Sequence, residues 1–352
     1  MSDYLYHAIL LALLPLILTS CKGDIGEPAP PGPPWIIFTE ANSPLVGNRI
    51  NAIMADRSGR VWFATDSGAS SFTPRTKSWG LIRDSIGFDV MGRKIYSVTS
   101  IAEAKDRSIW FGLRGGGVVR YNEHSEIGRT WSRYRSEIAS DYVASIAADV
   151  TEVNPYGEVW VTSYLGVNRW HQTDIDNGTW QDMTSLLPLR QMLSSATSPF
   201  DGRVWLGGNS GAALELYYDA GLVWNRYNDP AMVAQINGIA LDGVHQVWFA
   251  KQIGITSTNM LTGVVQHHVI PGAGMLPAGE LHAVETDLHL LRWFGTDSGL
   301  VALADTVWSK LNPGNSQLPD YTVTAIRYDK SGNLWIGTNK GVAVYNPNGT
   351  RL

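Results

Sequence analysis

The chain is poor in the features that usually announce chemistry. It holds one cysteine, Cys21, in 352 residues, so no disulfide can form within it. No stretch beyond residue 21 is long and apolar enough to cross a bilayer as a helix. Lys and Arg number 27 against 32 Asp and Glu, a net charge of −5 without a basic stripe, which excludes a nucleic-acid-binding face. There is no G-x-S-x-G, no H-E-x-x-H, no phosphate-binding loop and no dinucleotide loop. The glycine-rich run Leu113 to Gly117 joins two strands as a bulged hairpin and opens no helix, so it lacks the dipole that holds phosphate. No D-x-D-x-D-G loop for calcium occurs. No cofactor, no metal and no catalytic residue is implied.

The lone cysteine has a context. Ile9 to Leu18 form an apolar run of ten residues, short for a membrane span and suited to the core of a signal peptide. Leu18-Thr19-Ser20-Cys21 follows and resembles the lipobox of bacterial lipoproteins. The resemblance implies a signal peptide over 1–20, lipidation at Cys21 and a membrane anchor. Residues 22–34, KGDIGEPAPPGPP, read as an extended tether. The implied location is the bacterial cell envelope, lipid-anchored at the outer membrane or periplasmic side.

Aromatics and glycine are plentiful, and one phrase organises them. An apolar residue, Trp, an apolar residue, a small residue and a glycine turn recur around Trp62, Trp110, Trp160, Trp205, Trp248, Trp293 and Trp335. The steps are 48, 50, 45, 43, 45 and 42 residues, a period that marks a β-propeller. The first repeat divides into four strands: RINAIMAD, RVWFAT, ASSFTP and SWGLI, with turns at Arg57-Ser58-Gly59 and Asp66-Ser67-Gly68. The last repeat runs out of chain after three, before a tail at 348–352. Residues 35–39, WIIFT, carry the fourth-strand pattern and are expected to complete the last blade. The expected fold class is all-β: a seven-bladed propeller over 35–347 of four-stranded antiparallel blades, closed by the N-terminal strand so that no sheet edge stays open. The repeated Trp residues are expected between blades. Asp56, Asp106, Asp242, Asp287 and Asp329, near the ends of first strands, are expected to cap turns.

Residues 322–347, TVTAIRYDKSGNLWIGTNKGVAVYNP, resemble the two-component-regulator propeller repeat, as do 49–73 and, more loosely, 281–305. In that family the repeats form periplasmic sensor regions of hybrid histidine kinases, often recognising polysaccharide fragments. The resemblance implies the fold and extracytoplasmic ligand binding. The kinase part is not expected from a sequence that stops at Leu352. The repeat phrasing and His/Glu set of streptogramin lyases are not evident.

Ligands of propellers bind at the mouth of the central channel. On the face carrying the turns between strands two and three and the approach to strand one lie Arg49, Arg114, Tyr142, Tyr164, Arg190, Asp297, Tyr321 and Lys340, a mixture suited to sugars, peptides or anionic fragments. A zinc site from His268, Glu280 and His282 has no diagnostic spacing. His267 and His268, adjacent on a strand, face opposite sides, and His289 lies elsewhere. Asn177 and Asn348 begin glycosylation-like triplets that read as turns. The expected function is a non-catalytic, membrane-anchored propeller that binds an envelope protein, a polysaccharide or a peptide. The alternatives are a lyase or hydrolase acting at the channel mouth, and a sensor subunit acting with a separate kinase.

Overall fold

The computed structural model describes residues 32–83, 86–89, 91–128, 130–152, 157–187, 191–211, 213–217, 223–227, 229–232, 234–268, 280–287 and 291–352. The expected signal peptide over 1–20, Cys21 and most of the expected tether over 22–34 lie outside them, as do Arg190 and His289. Among the described residues no helix is long and apolar enough to cross a membrane. The helices among the described residues are three short 3-10 turns.

Four-stranded antiparallel sheets account for the body. Six are built from consecutive strands, with inner strands Ile50–Ala55, Val98–Glu103, Val143–Asp149, Met192–Thr197, Ile236–Leu241 and Leu281–Thr286. They are blades 1 to 6. Blade 7 is composite: Val323–Tyr328, Leu334–Thr338 and Gly341–Tyr345 are completed by Trp35–Phe38. The closing strand pairs in antiparallel register, Trp35 opposite Tyr345 and Phe38 opposite Val342. The repeat count and the expected closure match the seven four-stranded sheets found among the described residues. A two-stranded hairpin, Gly87–Phe88 with Lys94–Ile95, is inserted between blades 1 and 2, and no repeat pattern foretold it.

Inner strands of neighbouring blades pack side by side around a ring, blade 7 against blade 1 included. The core is correspondingly divided. Seven clusters of buried apolar residues each straddle one junction, such as Trp62 with Phe111 between blades 1 and 2 and Trp335 with Phe63 between blades 7 and 1. All seven repeat Trp residues are buried. Removing roughly 200 Å² per ring from water is worth about 5 kcal/mol gross. Trp170, which stands outside the repeat scheme, is buried at the blade 2–3 junction against Trp110, Tyr134 and Trp180.

Two details explain the wording of the repeat. The small residue two after Trp faces the first residue of the next blade: a Cβ on Gly337 would lie 2.6 Å from Ile50 Cγ2. The Thr that follows bonds across its turn, with Thr338 Oγ1 donating to the Gly341 carbonyl at 2.8 Å and accepting the Lys340 N–H at 3.1 Å. Thr65 and Thr296 do the same. The C-terminal residues fold back onto the ring. Thr350 Oγ1 donates to the Pro33 carbonyl at 2.8 Å, and Arg351 exchanges bonds with the buried Asn333 side chain.

Candidate functional site

Each of the seven inner strands carries a β-bulge one residue after its start. A bulge adds one unpaired residue and re-aims its side chain. The residues so placed are Asn51, Thr99, Ala144, Leu193, Asn237, His282 and Thr324. Four of them donate to the first carbonyl of the next inner strand. Asn51 reaches Val98 at 2.8 Å, Thr99 reaches Val143 at 2.8 Å, Asn237 reaches Leu281 at 2.7 Å and Thr324 reaches Ile50 at 2.5 Å. These bonds form a polar belt that ties blade to blade at one end of the channel.

The face beside this belt carries the turns between second and third strands and the approaches to the inner strands. Topology sets Arg49, Arg114, Tyr142, Tyr164, Asp297, Tyr321 and Lys340 there, as the sequence suggests. They do not form one site: all but Tyr164 fall into three separate groups.

The first group centres on Asp66, a residue the sequence reading passed over as part of a turn. Its carboxylate accepts hydrogen bonds from Asn51 Nδ2 at 2.9 Å and Ser97 Oγ at 3.0 Å. Arg49 and Arg114 approach it from either side at 3.6 and 3.9 Å. Partial burial acts to raise the Asp66 carboxyl. The two hydrogen bonds and the charges of Arg49 and Arg114 outweigh it and hold the group below its ordinary range. Arg114 is bridged by backbone to Tyr142, whose ring lies against Gly115.

The second group is a dyad. His282 Nε2 lies 2.7 Å from Asp297 Oδ1, while Asp297 Oδ2 accepts the Glu280 N–H at 3.1 Å. The third is Lys340, paired with Asp320 at 3.7 Å beside Tyr321. Tyr142, Tyr164 and Tyr321 are 59%, 52% and 51% exposed.

His268, Glu280 and His282 do not converge, and no metal-binding group of three or more ligands occurs among the described residues. The His268 ring lies tilted against Trp248, centroids 4.6 Å apart, and bonds Ser257 at 2.8 Å, while His267 is exposed. Burial first, then the neighbouring His267 and Arg292 charges, push the His268 imidazole down to about 4.

The repeated aspartates lie at the other end of the blades and cap turns there. Asp56 accepts from the Ser58 and Arg60 N–H groups, Asp242 from Val244 and Gln246, and Asp329 from Ser331 and Asn333. Asp106 caps Ser108 and pairs with Arg120, and Asp287 caps Leu291. Beside this end the channel opens into a cavity of about 470 Å³. None of the sequence-proposed ligand residues lines it. Its walls are the exit ends of the inner strands, which no motif marks.

Residues 44–67 and 317–340 match the family described as two component regulator propeller. Both fall within or beside segments that carry the resemblance in sequence, whereas 281–305 is not matched. A search among curated proteins finds no match. Among solved structures, the extracellular domain of BT3049 from B. thetaiotaomicron, assigned to a hybrid two component system, superposes with a TM-score of 0.71 at 19% identity. The alignment covers 91% of this chain and 41% of that one, so the chain spans about two fifths of that protein. Virginiamycin B lyase from Staphylococcus aureus, crystallised with quinupristin as a catalytically inactive variant, gives 0.67 at 14% identity, covering 88% and 98%. PorZ, a surface component of the type-IX secretion system of Porphyromonas gingivalis, gives 0.64 at 16%, covering 85% and 46%. At these identities the likeness establishes the fold. The chain is thus an all-β propeller bearing two component regulator propeller repeats at both of its joined ends.

Proposed function

We propose that this chain is an extracytoplasmic binding propeller, anchored through lipidated Cys21, that captures an envelope protein or a glycan on its polar-belt face without transforming it. The observation that carries the reading is the Arg49–Asp66–Arg114 cluster flanked by Tyr142, with Tyr164 and Tyr321 more than half exposed on the same face. Tyrosine rings left in water are contact surface awaiting cover, and guanidinium groups held at 3.6 Å or more from their carboxylate keep donors for an acceptor-rich partner. The extracellular hybrid-system domain of like fold supports an extracytoplasmic setting. The test compares wild type with an Arg114→Ala/Tyr142→Ala variant on a glycan array and in pull-downs from envelope extract. A ligand retained by wild type and lost at least ten-fold by the variant is expected. Equal retention by both, or no specific ligand for either, rejects the reading.

A second reading rests on the His282–Asp297 dyad, because a carboxylate at 2.7 Å orients an imidazole for proton transfer. The lyase of like fold gives it a first substrate to try. Chromatography of quinupristin after incubation with wild type and with His282→Ala decides it: turnover that disappears in the variant supports an enzyme, and an unchanged antibiotic disposes of this substrate.

A further inference from the structure

The cavity at the opposite end of the channel plays no part in the reading above. Its wall holds one β-branched aliphatic residue from six of the seven inner strands: Ile53, Ile101, Ile146, Ile239, Val284 and Ile326. Blade 4 supplies Ser195 instead. Its volume, about 470 Å³, falls within the range of about 300–1,000 Å³ typical of small-molecule sites. The charged lining is confined to neighbouring blades, with Glu285, Arg327, Arg57 and Glu103 following one another round the ring from blade 6 to blade 2.

Most polar groups of this wall already have partners in the protein. Arg57 pairs with Glu103 at 3.2 Å and donates to the carbonyls of Ala104 and Lys105. Ser195 bonds Ser145 at 2.9 Å, Thr197 the Ala148 carbonyl at 2.7 Å and Thr286 the Leu241 carbonyl at 3.0 Å. Arg327 differs. It is 46% exposed and gives one hydrogen bond, to Glu285 Oε2 at 3.3 Å. A guanidinium has five N–H donors, arranged to meet a carboxylate two at a time. Glu285 also accepts the Tyr328 N–H, so it does not depend on Arg327 alone. The wall therefore offers an available cation at the rim of an apolar ring.

We propose that this end of the channel binds a monoanionic aliphatic ligand, its carboxylate on Arg327 and its hydrocarbon body against the isoleucine ring. A free medium-chain acid and the hydrophobic C-terminus of a peptide share this chemistry. The full chain is titrated calorimetrically with octanoate, with octanamide, and with a pentapeptide ending in Leu-Leu as free acid and as amide. At least one free acid is expected to bind, its amide at least ten-fold more weakly. Arg327→Ala is expected to weaken the acid at least ten-fold and Arg327→Lys by about three-fold or less, both with unchanged circular dichroism spectra. Tighter binding of the peptide names a polypeptide terminus as occupant; tighter binding of octanoate names a free acid. Arg114→Ala, on the other face, is expected to leave the affinity unchanged, which separates this site from the one proposed above. No binding by either acid at millimolar concentration overturns the proposal, as does equal binding of acid and amide or an affinity untouched by Arg327→Ala.

Discussion

Trp335 donates its indole N–H to Asp329 Oδ2 at 2.8 Å, six residues back across a turn whose N–H groups are capped by the other oxygen of the same carboxylate. Trp62 with Asp56 at 2.9 Å and Trp248 with Asp242 at 3.1 Å repeat the relationship. It explains the six-residue step from Asp to Trp in these three repeats: one side chain stitches the turn to the ring that seals the blade junction. Asp329→Ala leaves buried donors without acceptors, and a loss of about 1–3 kcal/mol in urea unfolding is expected. Asp329→Asn should recover part of it, because its amide oxygen still caps the turn.

Asp56 shapes the acid response. Burial acts to raise the Asp56 carboxyl, but hydrogen bonds from Ser58, Trp62 and Arg60 outweigh it and the net shift is downward. The folded value then lies below the unfolded one of about 3.9, so the stabilisation is complete above that pH and is lost as pH falls through the folded value. The stability gap between wild type and Asp56→Asn should narrow below about pH 4. A gap that is constant from pH 7 to pH 3 would contradict this assignment.

Glu285 titrates in the opposite sense. Burial raises its carboxyl, against the opposing pull of Arg327 and the Tyr328 N–H. The folded value lies above the unfolded one, so the fold prefers the protonated form and stability declines as pH rises through the window between the two values. Glu285→Gln should stabilise the protein at pH 7 relative to wild type, and the advantage should vanish below about pH 4, where the unfolded carboxyl is itself protonated. Thermal melts across this range provide the measurement.

Gly337→Ala probes the ring closure. The added methyl meets Ile50 of blade 1 at 2.6 Å, well inside van der Waals contact. Overpacking of this kind is expected to cost about 1–3 kcal/mol. Gly243, with nothing within 4 Å of its virtual Cβ, serves as the control, and its alanine variant should stay within about 0.5 kcal/mol of wild type.

The closing strand can be weakened from its other side. Phe38 stands 5.3 Å from Phe72 and from Trp79, and is stacked at 6.1 Å on Trp335, joining blades 7 and 1. It is half-buried, so Phe38→Ala should cost roughly 2 kcal/mol, below the 3–5 of a fully enclosed ring. A melting temperature equal to that of wild type would show that the strand contributes little to closure.

Much of the architecture is written in local chemistry. Alternation of polar and apolar residues, glycine turns and the Asp-to-Trp spacing act within one repeat, and their recurrence implies a ring. Trp35 to Phe38 could be assigned to the last blade because that blade lacked a strand of this pattern. The inserted hairpin at Gly87–Phe88 escaped notice because it has no counterpart in other repeats. Asp66 escaped because a D-S-G turn reads as a turn, and the two arginines that surround it come from the approach to its own blade and from a turn 48 residues away.

Side-chain identity along each strand was enough to establish period, strand order within a blade and which rings would be buried, since these follow from covalent neighbours. The bulges that aim Asn51, Thr99, Asn237 and Thr324 at the next blade, and the cavity where Arg327 stands above an isoleucine ring, came from the closed ring alone. They arise where seven strands distant in sequence converge on one axis, and no single repeat contains that axis.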